Sequence, residues 1–138
     1  MRENVDILGV FHDGSIVEIL GALPKISFRI EIEYLRNMFP SKGDSFLAHV
    51  SECESIVFYN WENETRTNEL AEIQKEEPEI LSIEQQDDTA HIICSTGELD
   101  VLYKKIEFQL DSGAPVTFQE LTEACNNYWD DWESRKIS

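Results

Sequence analysis

Basic residues are few in this chain. Its 138 residues hold 11 Lys and Arg against 28 Asp and Glu, which gives a net charge of −17 with neutral histidines. Contacts with nucleic acid and with anionic membranes depend on Lys and Arg that displace counterions. We therefore expect the protein to bind neither. The acidity either keeps the protein soluble or serves to bind a basic partner.

Cysteine and histidine are also scarce, with three of each. They are widely separated along the chain: Cys53, Cys94, Cys125, His12, His49 and His91. No C-x-x-C pair occurs, so the spacing predicts neither a disulfide framework nor a thiolate zinc site. The sequence predicts no metal ligands, no organic cofactor, and cysteines that are reduced and mostly buried.

Signals for membrane insertion and secretion are missing. The apolar runs are too short to span a membrane, and the first six residues lack the basic start and apolar stretch of a secretory signal. We expect a cytoplasmic protein.

Catalytic signatures are missing as well. The chain has no G-x-S-x-G elbow, no P-loop and no G-x-G-x-x-G motif. The pair His12-Asp13 invites a metal or acid–base role, but it precedes Gly14 in a predicted hairpin turn, where Asp is favoured for its bonds to nearby backbone. The sequence therefore predicts a protein that is not an enzyme.

Glycine and proline are few, with six and four residues, while 41% of the residues are hydrophobic. This composition is typical of a packed globular protein, and the length fits one domain. No repeat or linker divides the chain. We predict a single domain over residues 1–138.

Alternating patterns predict strands in the first quarter of the chain. Residues 5–11 alternate up to Asp13-Gly14, a dipeptide favoured in two-residue hairpin turns, and residues 15–22 form the returning strand. From Ile26 to Tyr34, apolar residues alternate with polar ones, which predicts a third strand with one buried face. Together they make a three-stranded meander.

Further strands follow. Residues 46–61 are rich in strand-forming residues, and their alternation slips near 51–54, which indicates a bulge or a tight turn. Residues 79–84 and 89–96 form a hairpin, and residues 100–110 add another strand. The predicted fold class is α+β, mostly antiparallel, with about eight strands in a curved sheet, a sandwich or a partly open barrel.

Two helices are predicted. A short one near 67–77 begins with Thr67 or Asn68 as its cap. A C-terminal amphipathic helix covers 118–135 and begins at a capping box of Thr117 and Glu120. We expect its apolar stripe to pack on the sheet, and the stripe consists of Leu121, Ala124, Cys125, Tyr128 and Trp132.

Three short segments resemble a family of small uncharacterised bacterial proteins. They are His12-Asp13-Gly14-Ser15-Ile16, Pro78-Glu79-Ile80-Leu81-Ser82 and Tyr128-Trp129-Asp130-Asp131-Trp132, the last ending a capped final helix. The resemblance covers most of the chain and implies a bacterial origin. It implies no activity and assigns no functional residue.

Acidic residues are concentrated between Glu62 and Asp88. This segment has ten acidic residues and only two basic ones, Arg66 and Lys75, so it carries −8 of the net charge of −17. It is a candidate binding face, and the alternative is an ordinary solvated surface. Trp129, flanked by two aspartates, can anchor a basic partner or cover the edge of the core. The predicted partner-binding residues are Glu62, Glu64, Glu69, Glu72, Glu76, Glu77, Trp129, Asp130 and Asp131.

These patterns favour a non-enzymatic interaction protein that binds a basic protein partner. An acidic inhibitor of the immunity type, directed against a nuclease toxin, has this size and charge, and carboxylates would speed its association by electrostatic steering. The alternatives are a small-ligand binding protein or an enzyme with a pocket between sheet and helix, or a scaffold with no partner-specific patch. The sequence leaves the oligomeric state open.

Overall fold

The computed structural model describes residue 11, residues 13–86 and residues 88–137, with the backbone alone for residue 85 and residues 129–137. These residues form ten strands and three helices. In chain order they are β1 (Ser15–Ala22), β2 (Lys25–Glu31), α1 (Glu33–Arg36), β3 (Ser45–Ser51), β4 (Ser55–Asn60), β5 (Thr65–Thr67), α2 (Leu70–Lys75), β6 (Ile80–Gln86), β7 (Thr89–Cys94), β8 (Gly97–Leu102), β9 (Lys105–Leu110), β10 (Pro115–Val116) and α3 (Phe118–Ile137).

The strands form two antiparallel sheets of five. The first sheet has the order β1-β2-β3-β9-β10, and the second has the order β5-β4-β8-β7-β6. The predicted class, α+β with mostly antiparallel strands, is confirmed. The strand count of about eight was too low.

Two segments of the chain pass from one sheet into the other, because β3 leads into β4 and β8 leads into β9. β3 pairs with β9 in the first sheet, and β4 pairs with β8 in the second. The chain bends between them at residues 52–54 and 103–104, where Glu52 has a φ of 51° and Glu54 N–H donates to the carbonyl of Leu102 at 2.8 Å. A bulge or a tight turn was predicted near 51–54, and the structure has a tight bend there. The single strand predicted over 100–110 was wrong, since β8 and β9 lie in different sheets.

The ends of β1 and β6 join the two sheets along another side. Ser15 and Glu79 form an antiparallel bridge, and Ile80 N–H donates to the carbonyl of Gly14 at 2.7 Å. The Asp13-Gly14 turn lies here, with Gly14 N–H donating to the carbonyl of Phe11 at 2.7 Å. The strand predicted over residues 5–11 lies outside the described residues, apart from Phe11.

Buried side chains from both sheets form one hydrophobic cluster. Phe11 lies in it, with its ring centroid 5.5 Å from that of Phe46 and 5.6 Å from that of Phe108. The inward residues of β2, which are Ile26, Phe28 and Ile30, are buried as their alternation predicts. The hairpin predicted over 79–84 and 89–96 is confirmed as β6 and β7 with slightly different ends.

Helix α1 replaces the end of a predicted strand. The strand predicted from Ile26 to Tyr34 ends at Glu31, and the chain then turns into α1. Arg36, the last residue of α1, is fully buried and its Nε donates to Asp111 Oδ1 at 2.8 Å. This contact joins residues 75 positions apart, so local alternation could not predict it.

Helix α2 is shorter than the predicted 67–77. It begins after Glu69, and no side chain caps its first turn. The caps predicted at Thr67 or Asn68 were wrong: Thr67 Oγ1 accepts a hydrogen bond from Glu69 N–H at 3.1 Å, before the helix starts. Ile73, its one fully buried side chain, anchors the helix to the core.

Helix α3 begins at the predicted capping box. Thr117 Oγ1 accepts from Glu120 N–H at 3.1 Å, and Glu120 Oε1 accepts from Thr117 N–H at 2.9 Å, so each residue satisfies the free amide of the other. The helix runs to Ile137, slightly beyond the predicted 118–135. No helix in the described part of the chain is long and apolar enough to cross a membrane.

The apolar stripe of α3 packs on the core and on α1. Leu121 and Ala124 are buried in the hydrophobic cluster, and Cys125 packs against it. The ring of Tyr128 lies 4.5 Å from that of Tyr34 in α1, so the helix rests partly on another helix and not only on a sheet as predicted. The side chain of Trp132 lies outside the described residues.

Candidate functional site

Asn60 at the end of β4 organises the acidic segment. Its side chain is buried, and its Oδ1 accepts from the N–H groups of Glu62 at 2.9 Å and Asn63 at 3.3 Å. Its Nδ2 donates to Glu76 Oε1 at 3.0 Å. One side chain therefore fixes both the turn at residues 61–64 and the residue that follows α2.

Between β4, β5 and α2 lies a concavity of about 370 Å³, which we call the acidic groove. Its lining residues are Phe58, Asn60, Asn63, Thr65, Arg66, Thr67, Glu69, Glu72 and Glu76. The structure thus brings three of the predicted partner-binding glutamates, Glu69, Glu72 and Glu76, into one groove.

The other predicted residues are placed differently. Glu62 and Glu64 lie in the exposed turn between β4 and β5, and Glu77 lies beyond the end of α2. None of these three lines the acidic groove. The side chains predicted at Trp129, Asp130 and Asp131 lie outside the described residues.

The charges of the groove are only partly balanced within it. Glu72 forms an exposed ion pair with Lys75 at 3.3 Å, a kind of contact that adds little stability. The Arg66 guanidinium lies 5.1 Å from the centre of the Tyr59 ring, a cation–π arrangement. The groove is thus lined by three carboxylates and one basic residue, Arg66, whose guanidinium is engaged with the Tyr59 ring.

The two described histidines lie on the outward faces of different sheets. On the first sheet, His49 Nδ1 is 2.6 Å from Ser27 Oγ and its Nε2 is 3.0 Å from Gln109 Oε1. His91 lies on the second sheet, and His12 lies outside the described residues. Across the described ranges, no three histidine, cysteine or acidic side chains form a group that could hold a metal ion.

His91 lies between two carboxylates of β8. Its Nδ1 is hydrogen-bonded to Asp100, and its Nε2 is 3.2 Å from Glu98 Oε1. The hydrogen bond to Asp100, together with that to Glu98 and the charges of both, raises the pKa of His91 despite partial burial, which lowers it. Sequence reasoning missed this cluster, although Glu98 and Asp100 are two apart on one strand and so share a face.

Beside His91 is a second concavity, of about 480 Å³, which we call the histidine cavity. It is lined by Glu84, Gln86, Thr89, His91 and Asp100, which come from three neighbouring strands. Its rim is polar and acidic, and it opens on the outward face of the second sheet.

Burial keeps two of the three cysteines away from solvent. Cys53 and Cys94 are buried, and Cys125 is half-buried. Burial raises the pKa of Cys94 to about 12 and also raises that of Cys53, so both thiols are protonated at neutral pH. The burial of Cys53 and Cys94 agrees with the prediction of mostly buried cysteines.

No protein-family model matches the chain, and no curated protein matches it. The resemblance to a bacterial family, the absence of enzymatic activity and the cytoplasmic location therefore stay predictions.

Proposed function

We propose that the protein is a non-enzymatic interaction module that binds a basic protein partner through the acidic groove. The observation that carries this proposal is the convergence of Glu69, Glu72 and Glu76 in one groove of about 370 Å³. A groove of this size receives a few side chains of a partner, not a whole domain.

The groove is held in place before any partner arrives. Asn60 bonds the turn on one side and Glu76 on the other, and Ile73 anchors α2 in the core. Because the backbone beneath them is already held, the carboxylates lose only side-chain freedom when they pair with Lys or Arg. The net charge of −17 supplies a long-range field that steers a basic protein toward the surface.

An inhibitor of a nuclease is the form of this function that the charge favours. A nuclease carries Lys and Arg where it binds phosphates, and carboxylates at similar spacing can occupy those positions. Such an association is fast and sensitive to salt, because the screening length is about 8 Å at physiological ionic strength.

The test compares two variants with equal charge. The groove variant carries Glu69→Gln, Glu72→Gln and Glu76→Gln, and the control carries Glu31→Gln, Glu54→Gln and Glu107→Gln, which are exposed positions outside the groove. The probe is a 16-residue oligolysine, and its binding is measured by calorimetry at 20 and 150 mM salt. We expect the groove variant to bind about tenfold more weakly than the control, since each exposed charge contact contributes a fraction of a kcal/mol.

Both variants lose three negative charges, so a response to overall charge would weaken them equally. Equal binding by the groove variant and the control contradicts the proposal. The acidity then serves solubility alone.

One observation favours the alternative of a small-ligand binding protein. A cavity of about 310 Å³ lies between the edge of the first sheet and the start of α3, at the lower end of the usual size of ligand sites. Its lining is mainly apolar and comprises Ile106, Glu107, Phe108, Pro115, Val116, Thr117 and Phe118. A ligand of this site would be apolar, which separates it from the cationic partner of the acidic groove.

A further inference from the structure

β6 is an edge strand of the second sheet. It is the longest edge strand whose outer side is left open by the described residues. β10 has two residues and β5 has three. The edge of β1 is partly occupied, because Ile19 N–H donates to Gln74 Oε1 of α2 at 2.8 Å. β6 has seven residues, and the described contacts on its outer side, with residues 13 and 14, are made by Ile80 at its start.

The register of β6 shows which backbone groups face outward. Gln86 and Thr89 are paired across a two-residue turn, and Glu84 is paired with His91. The pair that closes such a turn exchanges hydrogen bonds, and bonded pairs alternate with non-bonded ones along the ladder. The N–H and C=O groups of Ile83 therefore point away from β7.

β6 carries little of the protection that proteins place on open edges. Lys, Pro and inward charges usually prevent another chain from pairing there. The β6 sequence is ILSIEQQ, with no Lys, Arg or Pro, and its register shift lies near its start, between Ile80 and Ser82. Leu81 is 38% exposed on this strand.

The surface around this edge is strongly acidic. From residue 76 to residue 103 the chain has no Lys or Arg and eight acids, at positions 76, 77, 79, 84, 87, 88, 98 and 100. Glu84 points outward at the edge and lines the histidine cavity, while Asp100 and Glu98 are engaged with His91. A second copy of β6 is a poor occupant, because pairing two such edges would bring like charges together.

We propose that β6 binds an extended segment of a basic partner as an additional strand, with Lys or Arg at alternate positions lying beside Glu84 over the histidine cavity. Backbone pairing with Ile83 supplies affinity, and the carboxylates select cationic side chains. This inference rests on the proposed function and adds the conformation in which part of the partner is bound.

The probe is the blocked peptide acetyl-TKVKVKT-amide, added to ¹⁵N-labelled protein. We expect its saturable binding to shift the amide signal of Ile83 and to slow its hydrogen exchange at least tenfold. The same peptide N-methylated at alternate residues keeps its charge but loses one edge of donors, and it should bind at least tenfold more weakly. A peptide with Glu in place of Lys should show no binding.

Two variants complete the test. Gln85→Pro removes an outward N–H from an edge strand, a position where proline is tolerated, and should abolish peptide binding. Glu84→Lys should weaken binding at least tenfold, while the control Glu107→Lys on the first sheet should not. Thermal melts of each variant establish that the fold is kept, and the N-methylated peptide tests the same pairing without altering the protein.

Two results would overturn the inference. One is an Ile83 amide that is already protected from exchange in the free protein, since the edge would then be occupied. The other is equal binding of the N-methylated and unmodified peptides, since attraction would then be purely electrostatic. Equal binding of the two peptides would not contradict the proposed function of the acidic groove. Failure of the groove variant to weaken oligolysine binding would contradict the proposed function but not the strand pairing.

Discussion

Replacing Arg36 with methionine is expected to lower the free energy of unfolding by about 3–5 kcal/mol, the usual cost of removing one partner of a buried ion pair. Arg36 is fully buried and bonds Asp111 at 2.8 Å, the carbonyl of Ser41 at 2.8 Å and the carbonyl of Lys42 at 3.0 Å. The variant would remove the positive charge beside Asp111, which keeps its bonds from Asp44 N–H and Ser45 N–H, and would remove the donor to these two carbonyls. Urea unfolding at pH 7 measures the loss.

The contact between Arg36 and Asp111 also makes the stability of the protein depend on pH. Burial favours a higher pKa for this carboxyl, but hydrogen bonds from Asp44 N–H, Arg36 and Ser45 N–H outweigh it and lower the pKa below its ordinary value. The pKa of Asp111 is lower in the folded protein than its unfolded value of about 3.9. The contribution of Asp111 to the free energy of unfolding is therefore fully present above that pH. It is lost as the pH falls through the folded pKa.

The control is Asp111→Asn, which keeps the shape of the side chain and removes the charge. It should flatten the fall in stability below pH 4, and combining it with Arg36→Met should cost less than the sum of the two single changes. Additive losses of stability, or an unchanged fall in the stability of Asp111→Asn below pH 4, would show that Arg36 and Asp111 do not act as a unit.

Removing residues 117–138 is expected to abolish cooperative folding. The truncation deletes the capping box and the buried Leu121 and Ala124 of α3, and it uncovers the core beneath them. Burying one Leu alone contributes about 2–5 kcal/mol relative to Ala, a large part of the stability of a small domain. Circular dichroism and thermal melting measure the result.

The point change Leu121→Ala provides a graded control, since it should lower the melting temperature while keeping a single transition. A truncated protein that melts as cooperatively as the full chain would show that α3 is not part of the core. The single-domain prediction would then need revision.

Local patterns predicted the strands well where one face is buried. Ile26, Phe28 and Ile30 alternate as β2 requires, and Thr117 with Glu120 marked the start of α3. The errors came where distant contacts decide the chain path. The predicted strand continued to Tyr34, but the chain forms α1 there. Arg36 of α1 is bonded to a carboxylate 75 residues away.

A signal for the break in the 100–110 strand was present in the sequence. The buried residues of β8 and the following bend are Leu99, Val101 and Tyr103, at odd positions, whereas those of β9 are Phe108 and Leu110, at even positions. A change of phase means that the chain turns its other face inward, as it must when it passes into another sheet.

The candidate site could be predicted only in part. Glu69, Glu72 and Glu76 are three and four residues apart, so a helix brings them to one side, and the acidic groove bears this out. The position of β6 at the edge of its sheet and the hydrogen bond of His91 with Asp100 depend on which strands are neighbours. Strand order is set by the packing of the whole domain, so no local pattern contains it.

Titrating ¹⁵N-labelled protein with the 16-residue oligolysine, followed residue by residue, tests most directly whether the acidic groove binds a cationic partner. The predicted result is saturable shifts concentrated at the amides of Thr65, Thr67, Glu69 and Glu72, which weaken as salt is raised from 20 to 150 mM. Shifts of equal size at Glu31, Glu54 and Glu107, or no saturable shift at the groove, would contradict it.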